Sequence, residues 1–181
     1  RIHRQSTTVP RGFSRHVEHR WTTGPRRGAR RPLIASACRA IREGACIELD
    51  PSALRLPGGA RSLFLDLEGT DPSGEQEGLE QVDYLIGLLI EEPEGVRYQP
   101  FMAWRIDEEG RMFREFVDFV TAFDDAVIYH WHNYERWHLK KLADRHGFED
   151  RLEKWIFPRM VDLHRVATRA FAFPTPTNGL K

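Results

Sequence analysis

The hydrophobic pattern is clearest at Ser62-Leu63-Phe64-Leu65-Asp66-Leu67-Glu68, where Leu63, Leu65 and Leu67 alternate with Phe64, Asp66 and Glu68. A period of two predicts a strand. A polar, loop-like stretch from Gly69 to Glu80 follows. The apolar run Tyr84 to Ile90 then predicts a buried strand and Val96 to Trp104 another, joined through Glu94-Gly95. Connections this short favour antiparallel neighbours. Phe113, Phe116, Val117 and Val120 fall at the i, i+3, i+4, i+7 spacing of an amphipathic helix, and Asp124-Asp125 ends it. Ala126 to Trp131 is a short β-rich run and predicts a fourth strand. Asn133 can cap a helix running to about His146, with Leu139, Leu142 and Ala143 inward and Gly147 as its stop. Glu149 to Trp155 predicts a further short helix. Met160-Val161 leads into Leu163 to Ala170, with Asp162 in capping position.

The region before Ala60 is less regular. Residues 1 to about 31 mix Arg, Thr, Gly and Pro without periodicity and read as loop or arm. Ile34 to Arg42 predicts a short helix ending near Gly44, and Pro51 to Gly59 reads as a linker. The pattern thus divides the chain into residues 1–59, a basic arm and linker or the end of an upstream domain, and residues 60–181, the main domain. Three strands, a helix, a strand and a helix, in that order, describe an α/β domain whose mixed sheet is an antiparallel meander followed by crossover units.

Composition narrows the class. With 40% hydrophobic residues, 11 Phe and 5 Trp, the chain can build a core, and 181 residues hold one ordinary domain plus an appendage. No apolar run approaches a membrane span, and the Arg-rich start lacks the apolar stretch of a signal peptide. Cys38 and Cys46 match neither a zinc knuckle nor a redox pair and read as ordinary thiols of a cytoplasmic protein. Net charge is zero but unevenly spread. Residues 1–60 carry 12 Lys and Arg against 4 Asp and Glu (+8), and residues 61–181 carry 15 against 23 (−8). A basic arm on an acidic body suits phosphate neutralisation by the one and cation binding by the other; a solvated tail would show the same charge. Both ends read as cut. The chain opens on Arg1, and Pro174-Thr175-Pro176-Thr177-Asn178-Gly179 is a turn signal with only Leu180 and Lys181 after it.

The chemistry concentrates at Asp66 and Glu68. Residues two apart on a strand share a face and lie about 6.5–7 Å apart. With Leu65 and Leu67 buried on the other side, both carboxylates emerge together. Such a pair suits Mg²⁺ or Mn²⁺; two ions held there could activate water and stabilise the leaving oxygen of a phosphodiester. A solvent-facing strand end is the plain alternative, against which Phe64 on the same face and the mutual repulsion of the acids both count. The second candidate is Tyr129-His130-Trp131-His132-Asn133-Tyr134-Glu135. Glu135 is placed either to complement a helix dipole or to supply a third carboxylate. His132, Asn133 and Tyr134 are candidate nucleic-acid contacts, the rings by stacking on bases. No third ligand matches His130 and His132 as a zinc site. Asp162 reads first as a helix cap, and Lys140, Lys141 and Arg145 as a solvated helix face.

Taken in order, Phe64 to Thr70, Tyr84-Leu85-Ile86-Gly87, Tyr129 to Glu135, and Met160 to Lys181 resemble the YprB-type RNase H-like domain over roughly Ala60 to Lys181. That domain commonly forms the C-terminal part of predicted RecB-family nucleases and belongs to the DnaQ-like, DEDD exonuclease group. The resemblance implies an RNase H-like mixed sheet flanked by helices. It implies a two-metal 3′–5′ exonuclease using Mg²⁺ or Mn²⁺ on DNA or RNA, with single-stranded ends as substrate and a RecB-like nuclease domain upstream. By the same resemblance Asp66 and Glu68 are the first-motif acids, and Glu135 holds the second-motif position, where many relatives have Asp. The group's last catalytic Asp would follow Lys181, and Asp162 is no substitute for it, so this stretch alone is expected to bind metal weakly.

Two other function classes fit parts of the pattern. Asp66-Leu67-Glu68-Gly69-Thr70 echoes the Asp-x-Asp-Gly-Thr motif of haloacid dehalogenase-like phosphatases, in which Asp66 would be a nucleophile; that fold, however, needs helices between parallel strands. A non-catalytic nucleic-acid-binding or scaffolding module of a larger nuclease or helicase is the other.

Overall fold

The alternation at Leu63, Leu65 and Leu67 becomes the central strand of the molecule. In the computed structural model, which describes residues 27–70 and 81–175, with side chains from residue 33 onward, β2 (Arg61–Gly69) lies in the middle of a five-stranded sheet. Its neighbours are β3 (Asp83–Glu92) and β5 (Ala126–His130). β4 (Gly95–Met102) and β6 (Met160–Asp162) form the edges, giving the order β4-β3-β2-β5-β6. β2–β3 and β3–β4 pair antiparallel, whereas β2–β5 and β5–β6 pair parallel. The expected meander followed by crossovers is therefore the observed topology.

One face of this sheet is dry. Leu63, Leu65 and Leu67 pair with Ile90, Leu88 and Ile86, and all six are buried. Over them lie α2 (Glu109–Thr121), through Met112, Phe113, Phe116, Val117 and Val120, and α3 (Tyr134–His146), through Leu139, Leu142 and Ala143. The short α4 (Glu149–Arg151) continues through a π-turn and a 3₁₀ turn that add Leu152, Ile156 and Phe157 to the same core. Each such side chain contributes about 1.5–3 kcal/mol on burial, which is why the period-two and period-3.6 stripes located these elements.

Two helix ends follow local chemistry and two do not. Gly147 closes α3 in the left-handed region, φ 82°, its N–H donating to Ala143 O at 2.7 Å. Asp162 caps α5 (Leu163–Ala170), its side chain accepting from Arg165 N at 3.2 Å. Asn133 holds the N-cap position of α3 but makes no side-chain capping bond, because its backbone is already helical there. The C-terminal end of α2 is closed from a distance. The Arg159 guanidinium donates to Val120 O at 3.2 Å and to Phe123 O, placing a cation where the helix presents bare carbonyls.

The segment before Ala60 is more ordered than its sequence suggests. α1 spans Arg27–Glu43, beginning earlier than Ile34 and passing through Pro32, which locally argues for a stop. Gly44, φ 64°, ends it. β1 (Ile47–Glu48) then pairs antiparallel with β7 (Phe171–Ala172), so a stretch that reads as arm is stitched to one near the other end. A 3₁₀ turn at Pro51–Leu54, capped by Asp50, follows. Residues 1–26, 71–80 and 176–181, which hold most of the expected arm, the Gly69–Glu80 loop and the end of the turn signal, lie outside the described residues. Among the described residues no helix is long and apolar enough to cross a membrane.

Candidate functional site

Asp66 and Glu68 both point to the face of β2 opposite the core, Asp66 exposed and Glu68 half-buried. Across β2–β3, Asp66 stands opposite Gly87 and Glu68 opposite Leu85. Together with Phe64, Leu89 and Tyr98 these residues line an open depression of about 240 Å³. Phe64 stacks on Tyr129 with ring centroids 5.3 Å apart, and the Tyr129 hydroxyl donates to Pro57 O at 2.9 Å. The acids thus rise from a partly covered apolar face, with Asp66 itself exposed. Directly beyond Glu68 the register with β3 shifts, so that Gly69 faces Asp83. Such a bulge bends the strand end and re-aims its last side chains.

The register also brings the other predicted acids to the same end of the sheet. Phe64 pairs with Tyr129 and His130 with Asp162 in parallel strands, so Asp66, Glu68, the first turn of α3 and Asp162 all sit at the carboxyl ends of β2, β5 and β6. Glu135 is buried, and its Oε2 lies 3.5 Å from His130 Nδ1, also buried. The pair does not form a hydrogen bond, and neither atom has another hydrogen-bond partner. Leaving two buried polar atoms unsatisfied costs free energy, and such an exception calls for a cause. Among the described residues no three His, Cys, Asp or Glu side chains gather closely enough to hold an ion between them. Asp66 and Glu68 share one face of β2; Glu135 shares their end of the sheet, buried beside His130 without a hydrogen bond to it.

His132, Asn133 and Tyr134 are all exposed. His132 adopts φ 66°, a left-handed backbone unusual for any side chain. Asp162 holds it there: the Asp162 carboxylate accepts from His132 N at 2.9 Å as well as from Arg165 N. The cap predicted at Asp162 therefore also fixes the loop after β5. The His132 ring packs edge-on to His164 at 4.7 Å, and Tyr134 lies over His138 at 4.0 Å.

Beneath Tyr134 is a buried polar network that the sequence barely announces. His138 Nδ1 lies 2.7 Å from Asp83 Oδ1, and Gln81 Nε2 lies 3.4 Å from His138 Nε2. A carboxylate only accepts, so Nδ1 donates to Asp83. Asp83 N donates to Glu109 Oε1 at 2.8 Å; Arg145 and His146 reach Glu109 Oε2 at 2.5 and 2.9 Å. Burial pushes the Asp83 carboxyl up, partly offset by His138. Burial also pulls Glu109 upward, but hydrogen bonds from Arg145 and His146 outweigh it and hold Glu109 below its ordinary value. Arg145 is exposed, as expected of a solvated face, and from there it reaches inward to the buried Glu109 carboxylate. Lys140 does pair with Asp144 at the surface, and Lys141 covers the Trp137 ring. The network braces the site: a Cβ on Gly69 would lie 2.5 Å from Asp83 Oδ1, so only glycine lets Asp83 pack against the residue after Glu68. A glycine following the acid pair was the one legible hint.

Asp66 and Glu68 suit a hard divalent ion such as Mg²⁺, which is commonly held by one or two carboxylates and completes its shell with water and substrate phosphate. A soft thiolate site is not on offer, since Cys38 and Cys46 lie on α1 and in the turn after it.

No curated protein matches this chain. Among solved structures, the family B DNA polymerase of the hyperthermophilic archaeon Pyrobaculum calidifontis aligns at 26% identity and a TM-score of 0.39, over 51% of this chain and 12% of that one. The chain thus spans about an eighth of that polymerase's length. The family model RNase_H_2 matches residues 63–181, a stretch that includes the whole five-stranded sheet beyond its first two residues and both acids of β2. This chain belongs to the RNase_H superfamily.

Proposed function

We propose that residues 60–181 form a divalent-cation-dependent nuclease domain of the 3′–5′ exonuclease type, acting on single-stranded ends of DNA or RNA. The observation that carries the reading is the same-face pair Asp66 and Glu68 on the central strand of a superfamily whose sheet this chain shares. In the reaction, a water oxygen forms a bond to phosphorus, the bond from phosphorus to the 3′ oxygen breaks, and that oxygen takes up a proton. Mg²⁺ or Mn²⁺, when bound, supplies charge stabilisation and a more acidic water. Asp66 and Glu68 would hold the ions. Glu135, from the first turn of α3, would supply a third carboxylate, its unsatisfied Oε2 fitting a residue whose partner arrives with the substrate complex. His132, Asn133 and Tyr134 would contact the strand. The basic segment would add salt-sensitive affinity, and a RecB-like nuclease domain upstream in the parent chain, working in the cytoplasm, would be its companion.

The deciding experiment is Mn²⁺-dependent degradation of end-labelled single strands by the full-length protein, beside Asp66→Asn. Loss of cleavage in the variant is expected; equal activity in the two ends the assignment. The absence of a three-ligand cluster among the described residues favours a second reading, a nucleic-acid-binding module without hydrolysis. Strand binding with no cleavage by either protein would select it. The phosphatase reading fares worse, because β2 is followed by two antiparallel strands where that fold needs a parallel crossover.

A further inference from the structure

Tyr98 is a residue that no motif singled out. It stands on β4 opposite Leu89, yet its side chain slants across β3. An ideal Cβ on Gly87 would lie 2.6 Å from the Tyr98 hydroxyl oxygen and 3.2–3.3 Å from its ring. Gly87 is the residue directly opposite Asp66, where facing Cβ positions lie about 4.5–5.5 Å apart. The phenol therefore occupies the space that a side chain at Gly87 would fill, and Tyr98 and Asp66 line the same depression. At about 240 Å³ this space falls below the roughly 300–1,000 Å³ of pockets that enclose a whole drug-sized ligand. It suits one sugar or one base next to the acids.

We propose that Tyr98 is a positioning residue for the phosphodiester cleaved at Asp66 and Glu68, and that Gly87 is glycine so that the phenol can reach that place. The inference rests on the nuclease reading above. The ring walls the depression opposite Phe64, and the hydroxyl donates to a non-bridging phosphate oxygen, setting the phosphorus in line with the attacking water. A phenol is suited to this: it donates at neutral pH without adding a charge that would compete for the carboxylates. The plainer account is that an aromatic side chain merely covers a sheet glycine and stiffens the strand pair. The two accounts differ in what they move. Covering acts on stability; positioning acts on turnover.

The test uses the full-length protein with Mn²⁺ and end-labelled single strands, comparing Tyr98→Phe, Tyr98→Ala, Gly87→Ala, the Gly87→Ala/Tyr98→Ala double variant and Asp66→Asn. Tyr98→Phe keeps the ring and should lower kcat about tenfold with KM within about twofold, the signature of an interaction made in the transition state. Gly87→Ala should reproduce that loss with tyrosine still present, because the added methyl displaces the phenol. In the double variant it should cost nothing beyond Tyr98→Ala, since the two changes act through one contact. Unchanged kcat in Tyr98→Phe, or additive losses in the double variant, would overturn the role of Tyr98 while Asp66→Asn still abolishes cleavage. If wild type and Asp66→Asn cleave equally, or neither cleaves, the nuclease reading falls and this inference with it.

Discussion

Asp83 and Glu109 are joined by one hydrogen bond yet titrate in opposite directions, and the cause is the company each keeps. Asp83 is met by one imidazole in a buried place, whereas Glu109 gathers a guanidinium and a second imidazole. A carboxyl held below its ordinary 4.5 contributes stability that is present above that pH and lost as the pH falls through the lower folded value. Asp83, raised, works the other way, since the fold binds its proton more tightly than the unfolded chain does. Urea unfolding between pH 3 and 7 should therefore show stability falling below about pH 4.5. In Glu109→Gln that acid limb should flatten, with a loss at neutral pH of about 1.5–3 kcal/mol, the usual worth of a hydrogen bond to a charged group. An unchanged acid limb in the variant would refute this account. At Asp66 the expectation is the reverse: Asp66→Asn should leave thermal stability within a few tenths of a kcal/mol, as for an exposed surface position, while abolishing Mn²⁺-dependent cleavage.

At the scale of elements, the sheet is held from one side by an aromatic stripe. Phe116 on α2 is fully buried and meets Phe101 of β4 edge-on with centroids 5.7 Å apart. Phe116→Ala should cost about 3–5 kcal/mol, read as a fall in the denaturation midpoint at constant slope. The bulge at the end of β2 makes a second, sharper prediction. Gly69→Ala places a methyl 2.5 Å from Asp83 Oδ1, and the fixed partners His138 and the backbone leave that carboxylate little room to retreat. The variant should be destabilised by about 1–3 kcal/mol, in the range of core overpacking, and should lower activity more than its stability loss explains. A folded, fully active Gly69→Ala protein would show that the brace is irrelevant to the acids.

Across the whole molecule, charge and order are distributed differently from each other. The basic excess lies before Arg61, and within that region β1 is paired with β7. Residues 1–26, rich in Arg, are expected to carry part of the salt dependence of strand binding. Removing them should reduce the slope of log K against log salt by roughly one for every phosphate that the arm neutralises. An identical slope in the shortened protein would assign the electrostatic attraction to the body.

Much of this architecture was legible along the chain because it depends on local period. The alternation at 63–68, the stripe at 113–120, the stop at Gly147 and the cap at Asp162 each state a structure within a few residues of themselves, and hydrophobic burial enforces it. The Asp66–Glu68 pair was legible for the same reason: two positions apart on a strand means one face. What the sequence could not display was meeting across distance. That Arg159 closes α2, that Asp83, Glu109, His138 and Arg145 form one buried network, that Ile47 pairs with Ala172, and that Tyr98 lies over Gly87 opposite Asp66 all join residues from separate elements. Linear order carries no signal for such contacts, because register and packing decide them only after the strands have found their partners.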